Sequence, residues 1–196
     1  MKDAQGREIK YLRVSVTDRC NLRCKYCMPN GIECVEHKDI LSFEEIRQIA
    51  VCGARLGITK IRLTGGEPLA RKGCPELIRM LKEIPGIEKI AMTTNGTLVR
   101  AILPELVEAG LDEINISLDT LDAGTFAAIT GQDLLPEVLL AIDAALAAGL
   151  KVKVNAVSMP DTDWKRLITL AKDKPVDVRF IELMPIGEGR HSEGRS

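Results

Sequence analysis

The sequence predicts an α/β protein whose six parallel strands, joined by helical crossovers, curl into a partial (βα)6 barrel of the TIM type. Three observations carry this. Short apolar runs alternate with longer stretches of helical period along the 196 residues, and strands joined through helices are parallel. No low-complexity linker breaks the series. Most runs alternate apolar and polar side chains, whereas a sheet covered by helices on both faces reads as continuous hydrophobics.

The first run, residues 12–17, puts Leu12, Val14 and Val16 on one face and Arg13, Ser15 and Thr17 on the other. Ser42 with Glu45 forms a capping box that opens a helix, and Gly57 stops it. In the second run, from Ile58, Ile61 and Leu63 oppose Lys60, Arg62 and Thr64. Pro75 suits the first turn of the next helix. The third run starts at Ile87, and a helix over 97–109 follows, closed by Gly110, with Pro104 as a kink or restart. In the fourth run, from Leu111, Ile114, Ile116 and Leu118 oppose Asn115, Ser117 and Asp119. Asp122 and Asp133 read as caps of two helical pieces that end at Gly149. In the fifth run, from Lys151, Val152 and Val154 oppose Lys151, Lys153 and Asn155. A last helix over 161–173 precedes the sixth run, where Val176, Val178 and Phe180 oppose Asp177, Arg179 and Ile181. One core domain over 1–186 is expected, with the polar, Gly-rich residues 187–196 as a disordered tail.

The apolar strand faces must take the helices. The polar faces then line a wet hollow with cations on four strands, or they form the solvated side of a two-layer sheet. Composition narrows the function. Hydrophobic residues at 45% suffice for one core. A balance of 27 Lys+Arg against 28 Asp+Glu, net −1, excludes a strongly basic nucleic-acid binder. Three Phe, two Tyr and one Trp are too few for a base-stacking surface. No apolar run reaches the roughly 18 residues of a membrane span, and the polar start lacks a signal peptide's apolar stretch. A cytoplasmic protein is expected.

Six cysteines are too sparse for a disulfide scaffold. Three of them, Cys20, Cys24 and Cys27, form C-x3-C-x2-C directly after the first strand, where parallel α/β folds place their sites. Three thiolates can hold three corners of a four-iron cluster and leave one iron open. Alternatively Cys34 or His37 completes a closed zinc or electron-transfer site. Cys52, mid-helix, reads as core. Gly65-Gly66-Glu67-Pro68 follows the second strand. Its glycines admit either a ligand close to the backbone or a tight turn, and Glu67 can accept from an ammonium group. Thr93-Thr94-Asn95-Gly96 ends the third strand ahead of a helix, so Asn-Gly is not a hairpin turn here. Ser117, Asp119 and Met184 gather at the same end.

With Tyr26 at the aromatic position of C-x3-C-x-aromatic-C, and GGEP downstream, the chain resembles the radical S-adenosylmethionine (SAM) superfamily. Over roughly residues 6–187, SVTDRCNLRCKYCMP, IRLTGGEPL, MTTNG, INISLDTLD, KVKVNAV and RFIELMPIG resemble its GTP 3′,8-cyclase family, which opens molybdenum cofactor biosynthesis. The resemblance implies a [4Fe–4S] cluster on Cys20, Cys24 and Cys27, with Tyr26, Gly66, Ser117 and Met184 on SAM and Arg13, Arg62, Thr93 and Lys153 on GTP. Lys60 and Arg179 are weaker candidates for GTP. It further implies a reductant such as flavodoxin or ferredoxin, a downstream cyclic pyranopterin monophosphate synthase and a possible homodimer. The family's extension, with three further Cys for a second cluster, a basic GTP-binding loop and a Gly-Gly tail, lies beyond residue 196, so one cluster is expected here. Another radical SAM activity, an inactive SAM- or GTP-binding fragment and a zinc module are the competing classes.

Overall fold

In the computed structural model, which describes residues 2–28, 35–159 and 162–183, the chain alternates strand and helix. The strands are β1 (Tyr11–Ser15), β2 (Lys60–Thr64), β3 (Lys89–Thr94), β4 (Glu113–Ser117), β5 (Lys151–Ser158) and β6 (Asp177–Glu182). The helices are α1 (Phe43–Arg55), α2 (Cys74–Lys82), α3 (Val99–Glu108), α4 (Ala123–Thr130), α5 (Leu135–Ala147) and α6 (Trp164–Asp173). The six strands are all parallel and pair in chain order. A doubly wound sheet reverses its order at a switch point. Here no reversal occurs, so right-handed crossovers place every helix on one face and the sheet curls the other face inward.

Helix ends show which local signals prevailed. The Ser42 and Glu45 capping box is present, and Asp122 caps α4 through the Thr125 N–H. Asp133 is not a cap: α5 starts after Leu134, with a proline in its first turn that needs no hydrogen-bond acceptor. Asp163 caps α6 through Arg166 N–H, and Asp161 lies outside the described residues. Pro104 sits inside α3 without ending it.

The core lies between sheet and helices. Ile61, Leu63, Ile90, Met92, Ile114, Ile116 and Val154 are fully buried there, with Leu77, Ile78, Leu106, Val138 and Ile142 from the helices. Cys52 is exposed, against expectation, whereas Cys74 is buried. The reason is angular: α1 buries Ile46 and Ala50, and two residues beyond Ala50 the helix has turned about 200° to solvent. Among the described residues no single helix is long and apolar enough to cross a membrane. The domain limit at 186, the tail and Met184 lie outside the described residues.

Candidate functional site

A hollow of about 430 Å³ opens on the helix-free face of the sheet. Arg13 of β1 and Arg179 of β6 both line it. In a flat sheet those edge strands would stand roughly 24 Å apart, five spacings of about 4.8 Å. Their common cavity therefore establishes the curl and settles the strand-face question in favour of a lumen. Arg62, Thr93, Ser117 and Tyr26 line it too. Another hollow of about 420 Å³ lies against α2 and α3, away from the cysteine loop and the lumen.

At the base, one carboxylate organises the cations. Glu113 Oε2 accepts from Lys60 Nζ at 2.6 Å and from Lys153 Nζ at 3.3 Å, and Arg62 stands 4.0 Å away. Lys89 approaches Glu113 Oε1 at 3.8 Å. Burial alone would raise the Glu113 pKa, but the hydrogen bonds and charges of Lys60 and Lys153 outweigh it and pull the group down to about 2. Lys153 is lowered, first by burial and also by the Arg179 and Lys151 charges, with Glu113 only partly restoring it. Lys153 thus sits beneath the hollow, 7% exposed, and does not line it. Arg62 donates to Thr93 Oγ1 at 3.2 Å and lies 5.9 Å from the Tyr11 ring centre. Sequence reasoning missed Glu113, although the alternation of the fourth strand, extended two residues before Asn115, puts it on the polar face.

At the other end of the hollow stands the cysteine loop. Its frame is backbone: Thr17 O accepts from Gly66 N–H and Arg19 O from Glu67 N–H, each at 2.8 Å, while Arg23 and Lys25 N–H bond Thr130 O and Ile129 O. A Cβ on Gly66 would meet Arg19 O at 2.4 Å and Asp18 O at 2.6 Å. Close approach of the cysteine loop is thus itself a reason for glycine there. Glu67 is fully buried and not open to a ligand. Its carboxylate accepts from Leu69 N–H, Thr94 Oγ1 and Asn95 N–H, stitching the turn after β2 to the end of β3. Burial raises its pKa, and these three donors oppose that.

The donor set suits an iron–sulfur cluster. Cys20 and Cys24 are half-buried and Cys27 is exposed. Leu22 N–H (3.4 Å) and Asn95 Nδ2 (3.9 Å) already point at Cys20 Sγ, as an anionic sulfur requires. Burial first, then Asp119 and the neighbouring thiols, pushes Cys24 up to about 12, so metal binding must displace its proton. Among the described residues no three His, Cys, Asp or Glu converge closely enough for a single ion. A four-iron cubane spreads its thiolates over separate irons and needs no such convergence. Tyr26 donates to Asp119 Oδ2 at 2.7 Å, and Asp119 Oδ1 accepts from Val157 N–H at 2.8 Å. Burial, reinforced by Asp119, pushes the Tyr26 hydroxyl pKa well above its usual range. Tyr26, Ser117 and Asp119 also line a small cavity that reaches Cys24, joining loop and hollow. Cys34 lies outside the described residues.

A parallel partial barrel with a three-cysteine loop at the C-terminal end of its first strand defines a class. The chain belongs to the Radical SAM superfamily, whose sequence profile matches residues 14–173. Its cofactors are accordingly a [4Fe–4S] cluster and SAM. Among curated relatives, the GTP 3′,8-cyclase of Clostridium perfringens (strain 13 / Type A) is 48% identical over 198 residues, covering 99% of this chain and 61% of that protein. The GTP 3′,8-cyclase of Heliobacterium modesticaldum is 50% identical over 194 residues, covering 96% and 59%. The chain thus spans about three fifths of these relatives. The structure of Streptococcus suis SuiB bound to S-adenosylmethionine matches with a TM-score of 0.76 at 19% identity, covering 89% of this chain and 41% of that one. At that identity the likeness concerns the fold.

Proposed function

We propose that the chain is the catalytic core of a GTP 3′,8-cyclase, joining ribose C3′ of GTP to guanine C8 to give 3′,8-cyclo-7,8-dihydro-GTP. The observation that carries this is one cavity bounded by Arg13, Arg62 and Arg179 and continuous with the cysteine loop through Tyr26 and Ser117. A triphosphate calls for several cations in fixed places, and guanidinium groups match its oxygens. The cyclase relatives, at 48–50% identity, support the same substrate.

Cys20, Cys24 and Cys27 hold the cluster, and Tyr26, Gly66, Ser117 and Met184 hold SAM. When bound, the cluster and SAM would together supply one-electron radical chemistry to the hollow. The chain's own residues position and enclose. Arg13, Arg62 and Thr93 fix the nucleotide so that C3′ lies within reach of the 5′ carbon of SAM, and Lys153 adds its charge from beneath the hollow. Glu113 holds Lys60 and Lys153 in place before the phosphates arrive. Asp119 locks the Tyr26 ring. An external flavodoxin or ferredoxin supplies the electron in the cytoplasm, a cyclic pyranopterin monophosphate synthase consumes the product, and the working unit is a homodimer.

The test is anaerobic incubation of the reconstituted chain with dithionite, SAM and GTP, followed by product analysis. Formation of 5′-deoxyadenosine and the cyclised nucleotide is expected. Deoxyadenosine formation that ignores GTP would point to a different radical SAM substrate. Cys24→Ala is expected to lose the brown colour and all deoxyadenosine formation; a coloured, SAM-cleaving variant would remove that ligand assignment.

A further inference from the structure

Asn115 sits on β4 between the two halves of the site. It pairs in register with Thr93 on β3 and Lys153 on β5, lines the hollow and is 4% exposed. Its Oδ1 is buried with no hydrogen-bond partner in the protein, one of two such oxygens among the described residues, and of the two residues only Asn115 lines this cavity. The neighbouring buried polar groups are all engaged: Arg62 with Thr93, Lys153 with Glu113, Asp119 with Tyr26. A buried amide left without a partner costs stability. A chain that keeps one in a lumen is keeping it for a ligand.

Position names the ligand group. Glu113, two residues earlier, anchors the cation base, and Ser117, two residues later, reaches the cavity beside Cys24. Strand rise puts Asn115 about 7 Å from each. In a nucleoside triphosphate the sugar lies between the phosphates and the base. With phosphates on the cations and the radical source at the cysteine loop, the sugar falls at Asn115. We propose that Asn115 reads the substrate's ribose, its side-chain amide taking one of the two ribose hydroxyls. This rests on the GTP reading above. A hydroxyl donates to an amide oxygen and accepts from an amide nitrogen, so it serves either orientation of the side chain.

The test measures affinities of the reconstituted full chain, with SAM present, for GTP, 2′-deoxy-GTP and 3′-deoxy-GTP. The unsubstituted chain is expected to bind GTP about tenfold more tightly than one of the deoxy nucleotides. Asn115→Leu is expected to lose that factor for GTP, nothing for that deoxy nucleotide and nothing for SAM. Its melting temperature without nucleotide stays level or rises, because an unpaired polar group has been removed. Asn115→Ala repeats the comparison where the leucine variant fails to fold. Equal weakening of all three nucleotides, or equal affinity of the unsubstituted chain for all three, overturns the assignment while leaving GTP binding standing. Failure of the unsubstituted chain to bind GTP overturns the functional reading and this assignment together.

Discussion

The base and the rim of the hollow carry charge of the same sign in opposite states. At the base Lys60, Arg62, Lys89 and Lys153 converge on Glu113. At the rim Arg13 and Arg179 face the same space on exposed edge strands, and among the described residues neither has a carboxylate within ion-pair distance. Among the described residues Arg13 reaches only Thr64 Oγ1, at 3.4 Å. Buried cations must be paired to persist in the fold, whereas exposed ones stay solvated until a ligand removes the water. The base is therefore charge in place before any ligand arrives, and the rim is charge held in reserve.

The largest break in that contrast is expected from Glu113→Ala. It strands Lys153 and Arg62, both under 10% exposed, without their counter-ion. Loss of about 3 kcal/mol in denaturant unfolding is expected, together with loss of GTP binding. A variant as stable as the parent would show that the base is not held by its ion pairs. Next in size, Arg179→Ala is expected to weaken GTP binding about tenfold or more, while unfolding stability moves by less than about 0.5 kcal/mol. A stability loss equal to that of Glu113→Ala would erase the distinction between base and rim. Lys153→Ala should fall between them, costing both stability and GTP affinity and leaving SAM affinity unchanged; titration calorimetry with each ligand separates the two.

The smallest effect is on pH. Folding depresses the Glu113 pKa from its ordinary 4.5 to about 2. Its contribution to stability is thus complete above 4.5 and is lost as pH falls toward 2. Acid unfolding of Glu113→Gln should show a shallower limb in that window than the parent. Identical limbs would mean that the carboxylate is not clamped.

Alternation made the strands, their inward faces and the cations on them legible, because a period of two is a property of the backbone itself. The capping box at Ser42 was legible for a similar reason: both partners lie within four residues. What escaped the sequence depends on packing between distant segments. Glu67 looked open to a ligand, yet three donors, two of them from the end of β3, consume it. Gly66 invited a reading in terms of ligand approach, and the nearer neighbour proved to be the backbone of residues 18–19. Asp133 carried the chemistry of a cap, but the chain enters α5 one residue later through a proline turn. Glu113 was the costliest omission, since its meaning lies in partners on β2 and β5 rather than in its own neighbours.

The cysteine loop is tied down by main-chain hydrogen bonds to the turn after β2 and to the end of α4. Small zinc domains, by contrast, fold only once their metal arrives. Oxygen that strips the iron should therefore leave the mould intact. Resupplying iron and sulfide is then expected to rebuild the centre on a standing scaffold, with the far-ultraviolet circular dichroism of the chain the same before and after.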